Sequence, residues 1–162
     1  MTLRSSIVAS ALVAALWACD ARPLEGPPTL RLGRDECTEC GMSILDAHCA
    51  AAAIIARDGG REYVLADDVG CLLDWEREHA DVEVVSRFVS DHASGTWLAA
   101  NVAQFVVSDA IRTPMASGIV AYPDRAQAEA ARERFGGRVF SWDDLADARV
   151  TWLRSHGRTV RP

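Results

Sequence analysis

The chain has 162 residues, of which 49% are hydrophobic and 25% are charged, a composition typical of one ordinary globular domain or two very small ones. Its formal net charge is -6 and it has no basic block, which makes it a poor candidate for nucleic-acid binding because phosphate contacts need clustered cations. All 17 basic residues are arginine, so a Walker-type phosphate loop, a lysine Schiff base and a lysine general base are excluded.

The first 18 residues are predicted to be a lipoprotein signal peptide. Arg4 precedes an apolar run at residues 7–18 that is too short to cross a bilayer as a permanent helix. The sequence LWAC at residues 16–19 resembles the lipobox of bacterial lipoproteins, which favours lipidation of Cys19 over an ordinary signal peptide with a chance cysteine. Asp20 resembles the inner-membrane retention signal of enteric bacteria. The sequence therefore predicts a lipid-anchored protein on the periplasmic side of a bacterial membrane, with the inner membrane favoured.

The rest of the chain follows one plan twice. Residues 19–34 are rich in proline, glycine and arginine and are predicted to be a flexible tether that begins at the lipidated cysteine. An α+β fold of two tandem small ββαβ domains is predicted next, at residues 35–92 and 93–148, followed by a C-terminal tail at residues 149–162. The predicted strands are at residues 48–57, 61–66, 82–89, 100–108, 116–122 and 138–142, and the predicted helices are at residues 69–79 and 124–135, with a short helix near 143–148.

The stretch DECTECGM at residues 35–42 contains two thiols three residues apart, Cys37 and Cys40. Four interpretations are open: a structural zinc site with all four remaining cysteines, an exchange-active dithiol, a simple disulfide, and a Cu(I) site. A structural zinc site usually has two pairs of closely spaced cysteines, but Cys49 and Cys71 are far apart in the sequence and do not form a second pair. Both of these cysteines are interpreted as buried structural residues.

The methionines favour the Cu(I) interpretation. Cu(I) is soft and prefers thiolate and thioether sulfur to oxygen. Met42 and Met115 are the two methionines that follow the signal peptide, and both lie in predicted connecting segments rather than in core strands or helices. One cysteine and two loop methionines would be enough for a Cu(I) site of low coordination number.

Several motifs together resemble the NosL family, whose members are copper-binding lipoproteins associated with the assembly of nitrous-oxide reductase. They are ECTECGM (36–42), LADDVGCLLDW (65–75), WLAANVAQFVVSD (97–109) and the long stretch from TPMASG to SWDDL (113–145). The resemblance implies a pair of ββαβ domains and one Cu(I) per chain. It also implies delivery of copper to apo nitrous-oxide reductase, with an ABC-type membrane transporter of the same system as a second partner.

The resemblance also implies the metal ligands. They are Cys40 and Met42 of the first domain and Met115 of the second, with Cys37 as an additional candidate. The family often has a glycine after the second-domain methionine, whereas this chain has Ala116. Binding and release of copper need no proton transfer from a general acid or base, so the sequence predicts a binding protein and no enzyme.

The histidines and the paired aspartates are secondary candidates. His92, in the link between the domains, is the best auxiliary ligand among the histidines, and His48 is interpreted as a rim residue. His79 ends a helix, where a cation suits the dipole, and His156 lies in the tail. Capping of the first helix is the default role for Asp67 or Asp68, with a place behind the metal ligands or facing a partner as the alternative.

Two other classes of function stay open. A periplasmic thiol oxidoreductase would need both Cys37 and Cys40 for thiol–disulfide exchange. A structural zinc module, acting only as an interaction platform, would unfold when its metal is chelated.

Overall fold

The computed structural model describes residues 24–155. The predicted signal peptide, the lipidation of Cys19, the retention signal at Asp20 and the placement of His156 in the tail all lie outside the described residues. No helix within residues 24–155 combines the length and the apolar character that crossing a membrane needs.

The first half of the molecule is a four-stranded antiparallel sheet with the order β2-β1-β3-β4. Its elements are β1 (Ala51–Arg57), β2 (Gly60–Ala66), α1 (Val69–Glu78), β3 (Val84–Ser90) and β4 (Trp97–Ala99). β1 and β2 form a hairpin whose turn uses Gly59 at a φ of 82°. β1 is almost wholly buried because it lies between two strands and carries small and aliphatic side chains.

The second half is a three-stranded antiparallel sheet with the order β6-β5-β7. Its elements are β5 (Gln104–Val107), β6 (Ile119–Tyr122), α2 (Arg125–Phe135), β7 (Arg138–Phe140) and α3 (Trp142–Ser155). α2 packs on this sheet through Ala128 and Ala131, whose small side chains allow close approach. The order of elements is again ββαβ, and the predicted α+β class is confirmed.

The two sheets share one hydrophobic core. A single cluster of buried side chains includes Ile55 and Leu72 from the first half and Phe105 and Leu145 from the second. A bridge between Asp91 and Ala121 links the sheets directly, and the His92 N–H donates to the Ala121 carbonyl at 2.9 Å. The halves are therefore packed together, which allows a site to use residues from both.

The structure differs from the predicted elements in two places. β4 was not predicted. It lies in the segment assigned to the second domain, beyond the predicted boundary at residue 92, but it pairs with the first sheet. The last helix was predicted to end near residue 148, but α3 continues to Ser155. Residues 149–162 were predicted to be a C-terminal tail, yet Arg149 is buried and its Nη2 lies 2.8 Å from Asp74 Oδ2 on α1. This ion pair holds α3 against α1, the helix whose first turn contributes to the candidate site.

Candidate metal centre

A tight turn presents the first two thiols. The N–H of Cys37 donates to the Met42 carbonyl at 2.8 Å, and the N–H of Gly41 donates to the Cys37 carbonyl at 2.8 Å. Gly41 adopts a φ of 73°, which a glycine tolerates without steric cost. The N–H of Thr38 donates to the Leu65 carbonyl at 2.8 Å, so the turn is fixed beside β2.

The beginning of α1 supplies two more donor groups. Asp68 is the N-cap, and its Oδ1 accepts the Cys71 N–H at 3.0 Å. Asp67 precedes the cap and Cys71 lies in the first helical turn, so both residues are held by the geometry of the helix start. β2 ends at Ala66, immediately before this point, and therefore delivers α1 next to the turn that carries Cys37.

Four donor atoms meet where the turn and the helix start face each other. They belong to Cys37, Cys40, Asp67 and Cys71, here called the thiol cluster, and all lie within 4.8 Å of one another. Cys37 and Asp67 are each only 2% exposed, while Cys40 is half-buried. The Cys40 thiol donates to Asp67 Oδ2 at 3.8 Å. Asp67 Oδ1 is buried without a hydrogen-bond partner among residues 24–155, and a buried oxygen in that state is costly unless a ligand satisfies it.

The three thiols of the cluster differ in acidity. The pKa of Cys37 is lowered to about 6, mainly because the Cys71 thiol donates a hydrogen bond to its sulfur. The same hydrogen bond and burial raise the pKa of Cys71, which keeps its proton. Burial raises the pKa of Cys40 to about 11. Cys37 is therefore the most acidic thiol of the cluster.

The two candidate methionines lie in different segments, one in each half of the molecule. Met42 follows the thiol-bearing turn and is 54% exposed. Met115 is half-buried in the loop formed by residues 113–118, here called the Met115 loop, and its N–H donates to Asp68 Oδ2 at 3.2 Å. The structure thus brings the Met115 backbone to the residue next to Asp67, although the two are far apart in the sequence.

The comparisons with known proteins identify the family. The sequence pattern of NosL matches residues 30–150. The chain belongs to the NosL family. The fold is similar to the crystal structure of the copper chaperone NosL from Shewanella denitrificans, with a TM-score of 0.59 and 20% identity over 72% of this chain and 96% of that chain. At this identity the likeness shows a shared fold. No curated protein sequence matches the chain.

In this NosL-family chain, the cluster offers three soft donors and one hard donor. Thiolate sulfur suits Cu(I) and Zn²⁺, whereas carboxylate oxygen suits Zn²⁺ and harder ions but adds little for Cu(I). Cys71 and Asp67 were not predicted as copper ligands: Cys71 was a ligand only in the zinc interpretation and otherwise core packing, and Asp67 was a possible helix cap or a residue behind the ligands. The sequence feature that could have indicated a role for Asp67 and Cys71 in the site is their position on either side of Asp68. As a helix N-cap, Asp68 fixes the positions of the residues around it.

The remaining candidates lie outside the cluster. Cys49 is 3% exposed, its thiol donates to Asp46 Oδ2 at 3.7 Å, and burial raises its pKa to about 12. His79 is the C-cap of α1 and its ring stacks on Trp75. His48 is exposed, and its ring contacts the carbonyl of His92. Among the described residues, none of the histidines His48, His79 and His92 belongs to a group of three or more potential metal donors.

The acidities of the thiols predict how metal binding depends on pH. A metal needs thiolates, so binding must remove protons from Cys40 and Cys71, whose pKa values are raised, whereas Cys37, whose pKa is lowered, loses its proton more easily. Affinity for Cu(I) should therefore fall as the pH falls, by about 100-fold per pH unit if two protons are displaced per metal. Chelator competition at several pH values measures the slope, which should drop to about tenfold per unit in Cys40→Ser. A pH-independent affinity would contradict this ordering of acidities.

The backbone of the Met115 loop predicts a stabilising substitution. Ala116 adopts a φ of 54°, in the left-handed region that costs an L-residue about 1–2 kcal/mol. Ala116→Gly should relieve this strain and raise the free energy of unfolding by about 0.5–1 kcal/mol, since the unfolded-state entropy of glycine offsets part of the gain. The melting temperature should rise by about 1–4 °C. Ala130→Gly on the exposed face of α2 is the control and should lower stability by about 1 kcal/mol.

Proposed function

We propose that this chain is a lipid-anchored, extracytoplasmic chaperone that binds one Cu(I) and delivers it for the assembly of nitrous-oxide reductase. One observation carries the proposal: three thiols converge in a largely buried cluster, and soft sulfur donors are what Cu(I) selects. Membership of the NosL family and the shared fold with a copper chaperone support it.

The proposed copper ligands combine the sequence candidates with the thiols that the fold adds. Cys37, Cys40 and Cys71 supply thiolates, and Met42 and Met115 are the candidate thioether ligands at the rim. A site that uses fewer than all of these donors at one time leaves a coordination position that an incoming sulfur ligand can attack. Copper would then leave by ligand exchange, without turnover of a substrate, so no enzymatic role is proposed.

The burial of the donors supports delivery rather than permanent storage. Cys37 is almost inaccessible, Cys40 is half-buried and Met42 is 54% exposed, so the exposure of the sulfur side chains increases from Cys37 to Met42. A partner that approaches this turn would meet Met42 first. The proposed partners are apo nitrous-oxide reductase and an ABC-type maturation transporter, both implied by the family. The proposed anchor is lipidated Cys19, on the periplasmic side of the inner membrane as Asp20 favours.

The test is a Cu(I) titration of the reduced chain from residue 20 onward, under anaerobic conditions, against a chromophoric Cu(I) chelator. The proposal predicts one tightly bound copper per chain, followed by transfer to apo nitrous-oxide reductase that does not occur from the chelator alone. No competition with the chelator would overturn the copper proposal. Tight binding without transfer would leave a copper-binding protein with a different client.

The carboxylate of Asp67 supports a second candidate function, that of a zinc-binding module. Its buried Oδ1 lacks a partner among the described residues, and three thiolates with one carboxylate form a closed tetrahedral set that Zn²⁺ accepts. Chelation decides between them: a zinc module should unfold when its Zn²⁺ is removed, whereas a copper chaperone should stay folded without metal. The oxidoreductase alternative is less favoured, because the low-pKa thiol, Cys37, is only 2% exposed and exchange requires access.

A further inference from the structure

The two helices that follow β2 and β6 begin with the same residue in the same conformation. Asp68 caps α1 with φ and ψ of -145° and 167°, and Asp124 caps α2 with -149° and 167°. In each case one carboxylate oxygen accepts the N–H three residues ahead. A helix cap needs no more than this, because one acceptor satisfies one of the unpaired N–H groups at the helix start.

The second carboxylate oxygen distinguishes the two caps. Asp124 is exposed, and its Oδ2 accepts from the Gln127 side chain of its own helix. Asp68 is fully buried, and its Oδ2 accepts both the Thr113 hydroxyl at 2.8 Å and the Met115 N–H at 3.2 Å. The buried cap therefore connects the helix start of the first half to the Met115 loop of the second half.

The Met115 loop is built around this carboxylate. Thr113 Oγ1 lies 3.1 Å from Ser117 Oγ and accepts the Gly118 N–H at 3.2 Å, so the hydroxyl that donates to Asp68 is itself fixed. The loop also packs closely on α1, because a Cβ at Gly70 would overlap the Cβ of Ser117. Among the side chains of the described residues, the carboxylate of Asp68 is the acceptor of the Met115 N–H.

We propose that Asp68 is a positioning residue for copper binding, which holds the Met115 loop against the helix end that carries Asp67 and Cys71. The inference rests on the proposed function, since it assumes that copper uses the Met115 thioether. Asp68 does not touch the metal: one oxygen caps the helix and the other sets the place of Met115. An amide cannot replace this carboxylate, because either orientation of Asp68→Asn turns its NH₂ group towards a backbone N–H.

A double-mutant cycle on Cu(I) affinity tests the inference. Asp68→Ser keeps a good helix cap but is too short to reach Met115, and it should weaken binding about tenfold, as loss of a residue that orients a ligand does. Met115→Leu should weaken binding by at least as much. In the Met115→Leu background, Asp68→Ser should add less than about twofold, because the residue acts through Met115. Asp124→Ser is the matched control and should leave the affinity unchanged.

Two outcomes of the cycle would overturn the inference while leaving the proposed function intact. They are full additivity of Asp68→Ser and Met115→Leu, and no loss of affinity in Met115→Leu. Failure of the parent chain to bind Cu(I) would instead overturn the proposed function itself. If Asp68→Ser does not fold, Thr113→Val removes the bridging hydroxyl without touching the cap and enters the same cycle.

Hydrogen exchange of the metal-free protein tests the positioning without copper. The Met115 N–H should exchange faster in Asp68→Ser than in the parent, because it loses its acceptor, and it should be unchanged in Asp124→Ser. Equal protection of Met115 in the parent and in Asp68→Ser would show that the carboxylate does not hold the loop.

Discussion

Cys71→Ser is expected to weaken Cu(I) binding by about 100-fold. A structural Zn²⁺ site held by four ligands contributes roughly 10–16 kcal/mol, or about 3 kcal/mol per ligand, and a loss of that size per thiolate corresponds to this factor. The Cys71 sulfur lies within 4.8 Å of the sulfurs of Cys37 and Cys40, which makes it a proposed ligand although its position in the sequence suggested core packing. Chelator competition under anaerobic conditions measures the change.

Cys49→Ser is the matched control for this prediction. Cys49 is also buried, at 3% exposure against 5% for Cys71, but its thiol faces Asp46 outside the cluster. The control should lose a similar amount of stability and keep its copper affinity. If both variants bind copper equally well, Cys71 packs the core and does not bind the metal.

Gly70→Ala is expected to destabilise the protein and to loosen the copper site. A Cβ at Gly70 would overlap Ser117 Cβ and lie 3.1 Å from Asp68 Oδ1, and Ser117 is only 3% exposed, so the Met115 loop must move away from α1. Such overpacking costs about 1–3 kcal/mol, and the better helix propensity of alanine offsets only part of it. The melting temperature should fall by several degrees, at about 2–4 °C per kcal/mol.

Gly60→Ala separates this clash from the general effect of replacing a glycine. Gly60 has open space where a Cβ would go and its φ is not in the left-handed region, so the change should stay within about 0.5 kcal/mol of the parent. Gly70→Ala should also weaken Cu(I) binding through Met115, whereas Gly60→Ala should not. Equal stability of the two variants would contradict the close packing of α1 on the Met115 loop.

Local sequence patterns were sufficient to predict the α+β class and most of the elements. Asp68 before an amphipathic run indicates a helix start, and the Asp58–Gly59 turn between two apolar stretches indicates a hairpin. The patterns could not reveal that α3 extends to Ser155. Its buried face includes Arg149, and an arginine is expected in solvent unless its partner, here Asp74, is known from the tertiary structure.

The candidate site could be predicted only in part for the same reason. Cys37 and Cys40 are neighbours in the sequence, so their proximity follows from the turn that joins them. Cys71 joins them because β2 and the cap at Asp68 bring α1 back to that turn, a contact between residues 31 or more positions apart. Whether Met42 and Met115 bind the metal with these thiols stays a prediction.

One copper ion is proposed to bind to the thiols of Cys37, Cys40 and Cys71, which the fold brings together. X-ray absorption at the copper edge, recorded on the chain loaded with one Cu(I), tests it most directly, because the spectrum distinguishes sulfur from nitrogen and oxygen ligands. We expect sulfur to be the only element bound directly to copper, with fewer sulfur ligands in Cys71→Ser than in the parent and no change in Cys49→Ser. A shell dominated by nitrogen or oxygen, or identical spectra for the parent and Cys71→Ser, would contradict it.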